Sequence, residues 1–158
     1  TVEPPMFVNV VKINTAEEMF NAVKENFDNI DIVIKAAAVA DYTPTTIAHN
    51  KIKKTDGDMS IPLKRTTDIL KYLGENKTHQ FLCGFSMETE NMLENSTKKF
   101  SKKNLDMVVA NNLKDKGAGF GTDTNLITII TKDNVNQLPL MSKEDVANSI
   151  LDEILKNM

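Results

Sequence analysis

Across 158 residues the chain carries one cysteine, Cys83, and no tryptophan. A lone cysteine closes no intrachain disulfide, and its place in an apolar run fits a reducing compartment. The two histidines, His49 and His79, lie far apart, and no Cys/His/carboxylate spacing suggests zinc. No Ser/His/Asp order stands out, and neither GxGxxG nor GxxxxGK[ST] occurs. Apolar runs fall well short of the ~20 residues of a membrane span, and no signal peptide is visible. The expectation is therefore a cytoplasmic protein with no membrane partner. Charge of one sign is not in excess. Lys and Arg number 19 against 22 Asp and Glu, a net charge of -3, which argues against a general nucleic-acid partner.

What is present suits a globular domain. Hydrophobic residues make up 41% and charged residues 26%, enough to build a core without disulfides or metals. The expected organisation is a single domain over 1–158. The chain opens Thr1-Val2-Glu3-Pro4-Pro5 without an initiator methionine and runs almost at once into an apolar segment, so a longer parent polypeptide is expected.

The apolar pattern alternates between the periods of strand and helix. A strand is predicted over 7–13. Thr15 with Glu18 forms a capping box for a helix presenting Met19, Phe20, Val23 and Phe27 on one face. Asp31 to Ala37 reads as a strand buried on both sides. Residues 42–66, with Pro44, Gly57 and Pro62, read as a long loop or flap. Thr67-Asp68 caps a short helix ending near Gly74. Gln80 to Phe85 is a strand, and Glu88 to Lys103 a helix with Met92, Leu93, Ser96 and Phe100 inward. Leu105 to Ala110 is another strand, and 111–125 a loop whose Gly117-Ala118-Gly119-Phe120-Gly121 reads as a turn. Leu126 to Thr131 and Gln137 to Leu140 flank a hairpin turn, and Ser142 with Asp145 caps a last helix to about Leu155. Alternating strands and helices imply an α/β, Rossmann-like, doubly wound, mostly parallel sheet with a β-hairpin extension. In such folds ligands sit beyond the carboxyl ends of the strands. The polar stretches 38–54, 85–90 and 111–123 all fall there.

The run Ala36-Ala37-Ala38-Val39-Ala40-Asp41-Tyr42 ends a strand in a carboxylate, and Lys51-Ile52-Lys53-Lys54 follows. Asp41 fits either a turn cap or an acceptor for ribose or base. The lysine cluster fits either a solvated loop or a flap that closes over phosphates as point charges. Lys98, Lys99, Lys102 and Lys103 complement a helix dipole, yet Lys99 and Lys103 share one face.

Taken in order, these segments resemble phosphopantothenoylcysteine synthetase, the ligase of coenzyme A biosynthesis. In many bacteria it is the C-terminal half of a protein whose other half is a flavin-dependent decarboxylase. The resemblance runs through Ala36 to Tyr42, Lys51 to Lys54, Thr67-Asp68-Ile69-Leu70 and Gly84-Phe85-Ser86-Met87-Glu88-Thr89. It continues through Lys99, Lys103-Asn104-Leu105-Asp106, Ala110-Asn111 and Gly119 to Asn125. It implies a CTP-dependent joining of 4'-phosphopantothenate to L-cysteine through an acyl-cytidylate, with Mg2+ accompanying CTP, in a homodimer to which the 126–140 hairpin contributes. FMN is implied only where a decarboxylase is fused upstream. The resemblance makes Lys51 the catalytic flap residue. It assigns nucleotide binding to Lys35, Ala36, Ala37, Asp41, Lys51, Thr67, Asp68, Ile69, Leu70, Phe85, Lys99 and Lys103, and leaves the metal's ligands unassigned. A proline is frequent in the family where Thr67 stands, which affects a side-chain role but not backbone contacts.

One departure is at the front. The family carries an Asn-x-Ser-[ST]-Gly element with a catalytic asparagine, and Thr1 aligns after it. The expectation is a chain that holds most nucleotide contacts and lacks part of the catalytic apparatus. Two other classes remain open on the residues: an NAD(P)-dependent oxidoreductase domain, and a non-catalytic nucleotide-binding module.

Overall fold

The computed structural model describes residues 3–54, 56–88, 90–112 and 121–158, with Asn112 by its backbone alone. In chain order the elements are α1 (Ala16–Asn26), β1 (Ile32–Lys35), β2 (Tyr42–Pro44), β3 (Leu63–Arg65) and α2 (Ile69–Asn76). Then come β4 (Phe81–Glu88), α3 (Met92–Lys102), β5 (Met107–Asn112), β6 (Thr124–Asn125), β7 (Thr128–Thr131), β8 (Val135–Gln137), β9 (Met141–Ser142) and α4 (Lys143–Asn157). They fall into two compact units. One comprises Thr1–Asp28 with Ala38–Asp68, and the other Asn29–Ala37 with Ile69–Met158.

The larger unit is built on a mixed sheet of order β1-β4-β5-β7-β8. β1, β4 and β5 run parallel, and β7 and β8 extend the sheet antiparallel as a hairpin. Alternation along β4 and β5 divides the side chains between two faces. Phe81, Cys83, Met107 and Val109 join Ile129 and the Val146, Ile150 and Ile154 stripe of α4 in one buried cluster. The opposite face carries Leu82, Gly84 and Val108 and meets α2 and α3. Helices therefore cover both faces, the α/β arrangement expected.

Two glycines set how closely α2 packs. A Cβ at Gly74 would lie 1.8 Å from the Lys103 carbonyl oxygen, and one at Gly84 would lie 2.5 Å from a Leu70 methyl. Gly74 is thus not a helix stop, as the sequence suggests. α2 continues past it to Asn76, because the glycine is there to admit the turn between α3 and β5. That turn is a Schellman closure: Leu105 N–H donates to the Phe100 carbonyl at 3.1 Å, and Asn104 N–H to Ser101 at 3.3 Å. Asn104 takes the left-handed φ of 49°, and its side-chain amide donates to the Gly74 carbonyl at 2.9 Å. Asp106 then fixes the amino ends of β4 and β5. Its carboxylate accepts from Leu82 N–H at 2.8 Å and from the half-buried Lys77 ammonium at 2.6 Å.

The smaller unit holds α1 and an antiparallel ribbon of β2 and β3, with Tyr42 opposite Arg65. The Arg65 guanidinium lies 5.4 Å from the Tyr42 ring centre. Thr66 closes the ribbon's base, donating N–H to the Asp41 carbonyl at 2.9 Å and its hydroxyl to Ala40 at 2.6 Å. α1 starts as expected: Thr15 Oγ1 accepts from Glu18 N–H at 3.1 Å, and Glu18 accepts from Asn14 N–H at 2.6 Å.

Other expectations are corrected. Residues 7–13 form no strand, since no described strand lies alongside to complete a ladder, and Phe7, Val8, Val10 and Val11 are exposed. β1 is not buried on both sides. It is the sheet's edge, and Ile34 is exposed. Residues 42–66 are not loop throughout, because the ribbon ties their two ends together. β4 extends to Glu88, so α3 begins only at Met92, and its Leu93 faces outward while Met92, Ser96, Lys99 and Phe100 turn in. The glycine-rich turn lies outside the described residues except Gly121, whose φ of 73° suits a residue without a side chain.

Two outcomes follow from this packing. Gly74→Ala forces the Lys103 backbone to move and should cost about 3 kcal/mol, a Tm drop of roughly 10 °C in thermal denaturation. An unchanged Tm would refute the close approach. Burial pushes the Cys83 thiol up from 9.0 to about 12. Above pH 9 the unfolded chain then loses a proton that the folded one keeps, so stability should fall by about 1.4 kcal/mol per pH unit until about pH 12. Cys83→Ala should remove that slope in denaturant titrations across this range, and the native thiol should resist alkylation at neutral pH.

Candidate nucleotide site

The parallel strands β1, β4 and β5 point their carboxyl ends the same way. At β1 the strand ends at Lys35, opposite Gly84 in the register. The Lys35 ammonium turns back and donates to the Ala37 carbonyl at 3.0 Å, which fixes the course of Ala36 and Ala37. One residue beyond Gly84, the Phe85 carbonyl accepts from the Lys99 ammonium at 2.8 Å. The register therefore places two lysine ammoniums near one level of two adjacent parallel strands, Lys35 at the end of β1 and Lys99 reaching from α3 to a carbonyl three residues before the end of β4. Lysine ammoniums there suit an anionic ligand.

Lys99 reaches that carbonyl because it lies on the inward face of α3, on the stripe with Ser96 and Phe100. Lys103 shares the face but sits one turn further on, as the C-cap of α3, towards the amino end of β5. The Phe85 ring packs against the buried cluster, so its carbonyl, three residues before the end of β4, is what it offers. Ile69 and Leu70 are buried core residues, and their contribution to a ligand is confined to backbone amides in the first turn of α2.

The smaller unit carries the rest of the expected set. Asp41 is exposed at the start of the ribbon, with its carbonyl held by Thr66. Thr67 and Asp68 follow directly after Thr66, and Lys51 is exposed between the two ribbon strands. Within this unit a cleft of about 380 Å³ lies between the first turns of α1 and the ribbon, lined by Thr15, Glu17, Phe20, Thr43, Lys64 and Thr66 among others.

Sequence reading passed over Ser86 and Glu88. Both project from the same face of β4, two residues apart. The Ser86 hydroxyl, fully buried, donates to Glu88 Oε1 at 2.9 Å, and the Asn95 amide donates to Glu88 Oε2 at 3.2 Å. The signal was the Ser-x-Glu period of two continuing the strand, obscured by starting the helix at Glu88.

Residues 1–158 match the family described as the DNA/pantothenate metabolism flavoprotein C-terminal domain. The chain belongs to that family. It is 50% identical over 153 residues to the coenzyme A biosynthesis bifunctional protein CoaBC of Bacillus subtilis, covering 96% of this chain and 38% of that protein. It is 47% identical over 150 residues to a cysteine/cysteine sulfinic acid decarboxylase of an unknown prokaryotic organism, with 94% and 42% covered. Among solved structures, the C-terminal domain of a CoaBC protein superposes with a TM-score of 0.79 at 41% identity, covering 97% of this chain and 67% of that one. The chain thus spans about two fifths of the curated relatives' length. Membership in the pantothenate-metabolism family agrees with the fold and with the resemblance in the strand-end segments. Among the described residues, no helix is long and apolar enough to cross a membrane.

Lys99→Met tests the strand-end site. Losing a charge-assisted hydrogen bond to the Phe85 carbonyl should cost about 1 kcal/mol of stability, while CTP affinity falls about tenfold by calorimetry. CTP affinity equal to wild type would remove Lys99 from the site.

Proposed function

We propose that this chain is the phosphopantothenate–cysteine ligase domain of coenzyme A biosynthesis, using CTP. The observation that supports the reading is the pair of lysine ammoniums on adjacent parallel strands, Lys35 at the end of β1 and Lys99 reaching from α3 to the Phe85 carbonyl of β4, in a chain half identical to a CoaBC protein. A carboxylate is a poor acyl donor. Its oxygen attacks the α-phosphorus of CTP, pyrophosphate leaves, and the mixed anhydride that results is reactive. The cysteine amine then attacks the acyl carbon, the C–O bond to phosphate breaks, and CMP leaves as the amide forms. Both steps build negative charge on phosphate oxygens, which fixed cations stabilise.

Residues on each unit take parts in this proposal. On the larger unit, Lys35, Ala36, Ala37, Ile69, Leu70, Phe85, Lys99 and Lys103 bind nucleotide, the apolar ones through backbone groups. On the smaller unit, Asp41, Thr67 and Asp68 bind nucleotide, and Asp41 suits the ribose or base as a hydrogen-bond acceptor. Lys51, exposed in the segment between β2 and β3, acts on the acyl-cytidylate. Mg2+ supplies charge neutralisation of the triphosphate. Among the described residues no three His, Cys, Asp or Glu side chains gather, so these residues offer no closed metal cage. That fits an ion that arrives with phosphate and takes only one or two protein carboxylates. FMN enters only where a decarboxylase domain is fused upstream in the parent protein, and no residue described is assigned to it. The working form is proposed to be a homodimer in the cytoplasm.

Calorimetry with CTP, ATP and GTP in the presence of Mg2+ tests the assignment. Preferential CTP binding by the full-length protein is expected, and equal binding of all three, or of none, overturns it. In the same preparation Lys51→Gln should bind CTP within about twofold of wild type yet slow conversion of the acyl-cytidylate by ~100-fold, seen as its accumulation in single-turnover quench experiments. Unchanged turnover removes Lys51 from the mechanism.

A further inference from the structure

We infer that Glu88 is a protein ligand of the divalent cation that accompanies the nucleotide. This rests on the nucleotide reading above and goes beyond it by assigning the metal's anchor.

Glu88 ends β4 at its carboxyl pole, three residues beyond the Phe85 carbonyl that takes the Lys99 ammonium. That pole is otherwise supplied with cations, Lys35 and Lys99. A carboxylate there repels phosphate unless a cation stands between them. Its described partners are both neutral side chains, Ser86 on one oxygen and Asn95 on the other. A carboxylate offers about four lone-pair positions, of which these contacts use two.

A cap for α3 is the simpler alternative. The contacts do not favour it. α3 is entered through Asn91 in the left-handed region, which makes no side-chain cap bond, and Glu88 is held by side chains rather than by backbone N–H groups of the first turn. The arrangement instead matches a metal-binding carboxylate steadied by outer hydrogen bonds. Ser86 is buried and Asn95 is tied to the Glu90 carbonyl at 3.1 Å, so both donors are themselves held. A single carboxylate suits a hard ion whose remaining ligands are phosphate oxygens and water.

The test uses the full-length protein with CTP and MnCl2 as probes. With EDTA present, Glu88→Gln should bind CTP more tightly than wild type, because the change removes a charge that repels phosphate when no metal stands between them. With Mn2+, wild type should tighten and Glu88→Gln should lose about tenfold or more of that gain by calorimetry. The Mn2+ paramagnetic signal should be immobilised in the wild-type ternary complex and weakened in the variant. Ser86→Ala keeps the carboxylate and should reduce the gain less. In unmodified protein, bound Mn2+ should broaden the NMR amide signals of Met87 and Glu88 before that of Lys102, which gives an answer even if Glu88→Gln fails to fold. A full Mn2+ gain in Glu88→Gln, or preserved Met87 and Glu88 signals, overturns the inference and leaves the nucleotide reading standing. Failure of wild type to bind CTP with either EDTA or Mn2+ overturns the nucleotide reading and this inference with it.

Discussion

The larger unit depends on two places where a side chain is absent. Gly84 lets Leu70 of α2 lie against the backbone of β4, and Gly74 lets α2 lie against the backbone that leaves α3. One short helix is thereby clamped between a strand and a turn at backbone distance. The clamp sets the height of α3 along the sheet, because Lys103 is both its C-cap and the carbonyl that Gly74 meets. One turn earlier on the same face is Lys99. The position of its ammonium at the Phe85 carbonyl follows from a glycine in another helix.

The two poles of the parallel strands are built from different chemistry. At the amino pole, Asp106 takes a backbone amide and an ammonium, Asn104 ties α2 to the end of α3, and the Schellman turn satisfies the last helical carbonyls. Those contacts hold backbone to backbone and leave few polar groups unspent. At the carboxyl pole the polar side chains hold one another or a carbonyl, as with Ser86 and Glu88, Lys35 and Ala37, and Lys99 and Phe85. Stability concentrated at one pole lets the other keep charged groups poised for a ligand without their having to hold the fold.

How much of this was legible depends on how local the cause is. Thr15 with Glu18 and Ser142 with Asp145 are three residues apart, and both caps form as read. The hairpin, too, is local, though its strands pair closer to the turn, with Ile130 opposite Val135. Readings failed where the deciding partner is distant in sequence. The apolar run at β1 looks buried on both sides, but exposure is set by which strand lies next to it, and only β4 does. Residues 7–13 carry strand-like side chains, yet a strand exists only through a neighbour's hydrogen bonds. The ribbon of β2 and β3 was missed because three residues per strand leave no period to detect. Of the site, Lys99 was legible as a cation near the end of a helix, and Lys35 only through the family resemblance. Glu88 was not, because its role turns on β4 running three residues further than its apolar pattern.

The smaller unit bears on the role proposed for Lys51. Between Thr45 and Pro62 the chain has no regular structure among its described residues, and Ile47, Ile52, Met59 and Ile61 all expose their side chains. In the reaction proposed above, excluding water from Lys51 would protect an acyl-cytidylate from hydrolysis and strengthen the pull of an ammonium on phosphate. The ribbon allows such closure without loss of the unit. Its base is locked by Thr66 on Asp41 and Ala40 and by Arg65 over Tyr42, so the segment carrying Lys51 can change course while its two ends stay together.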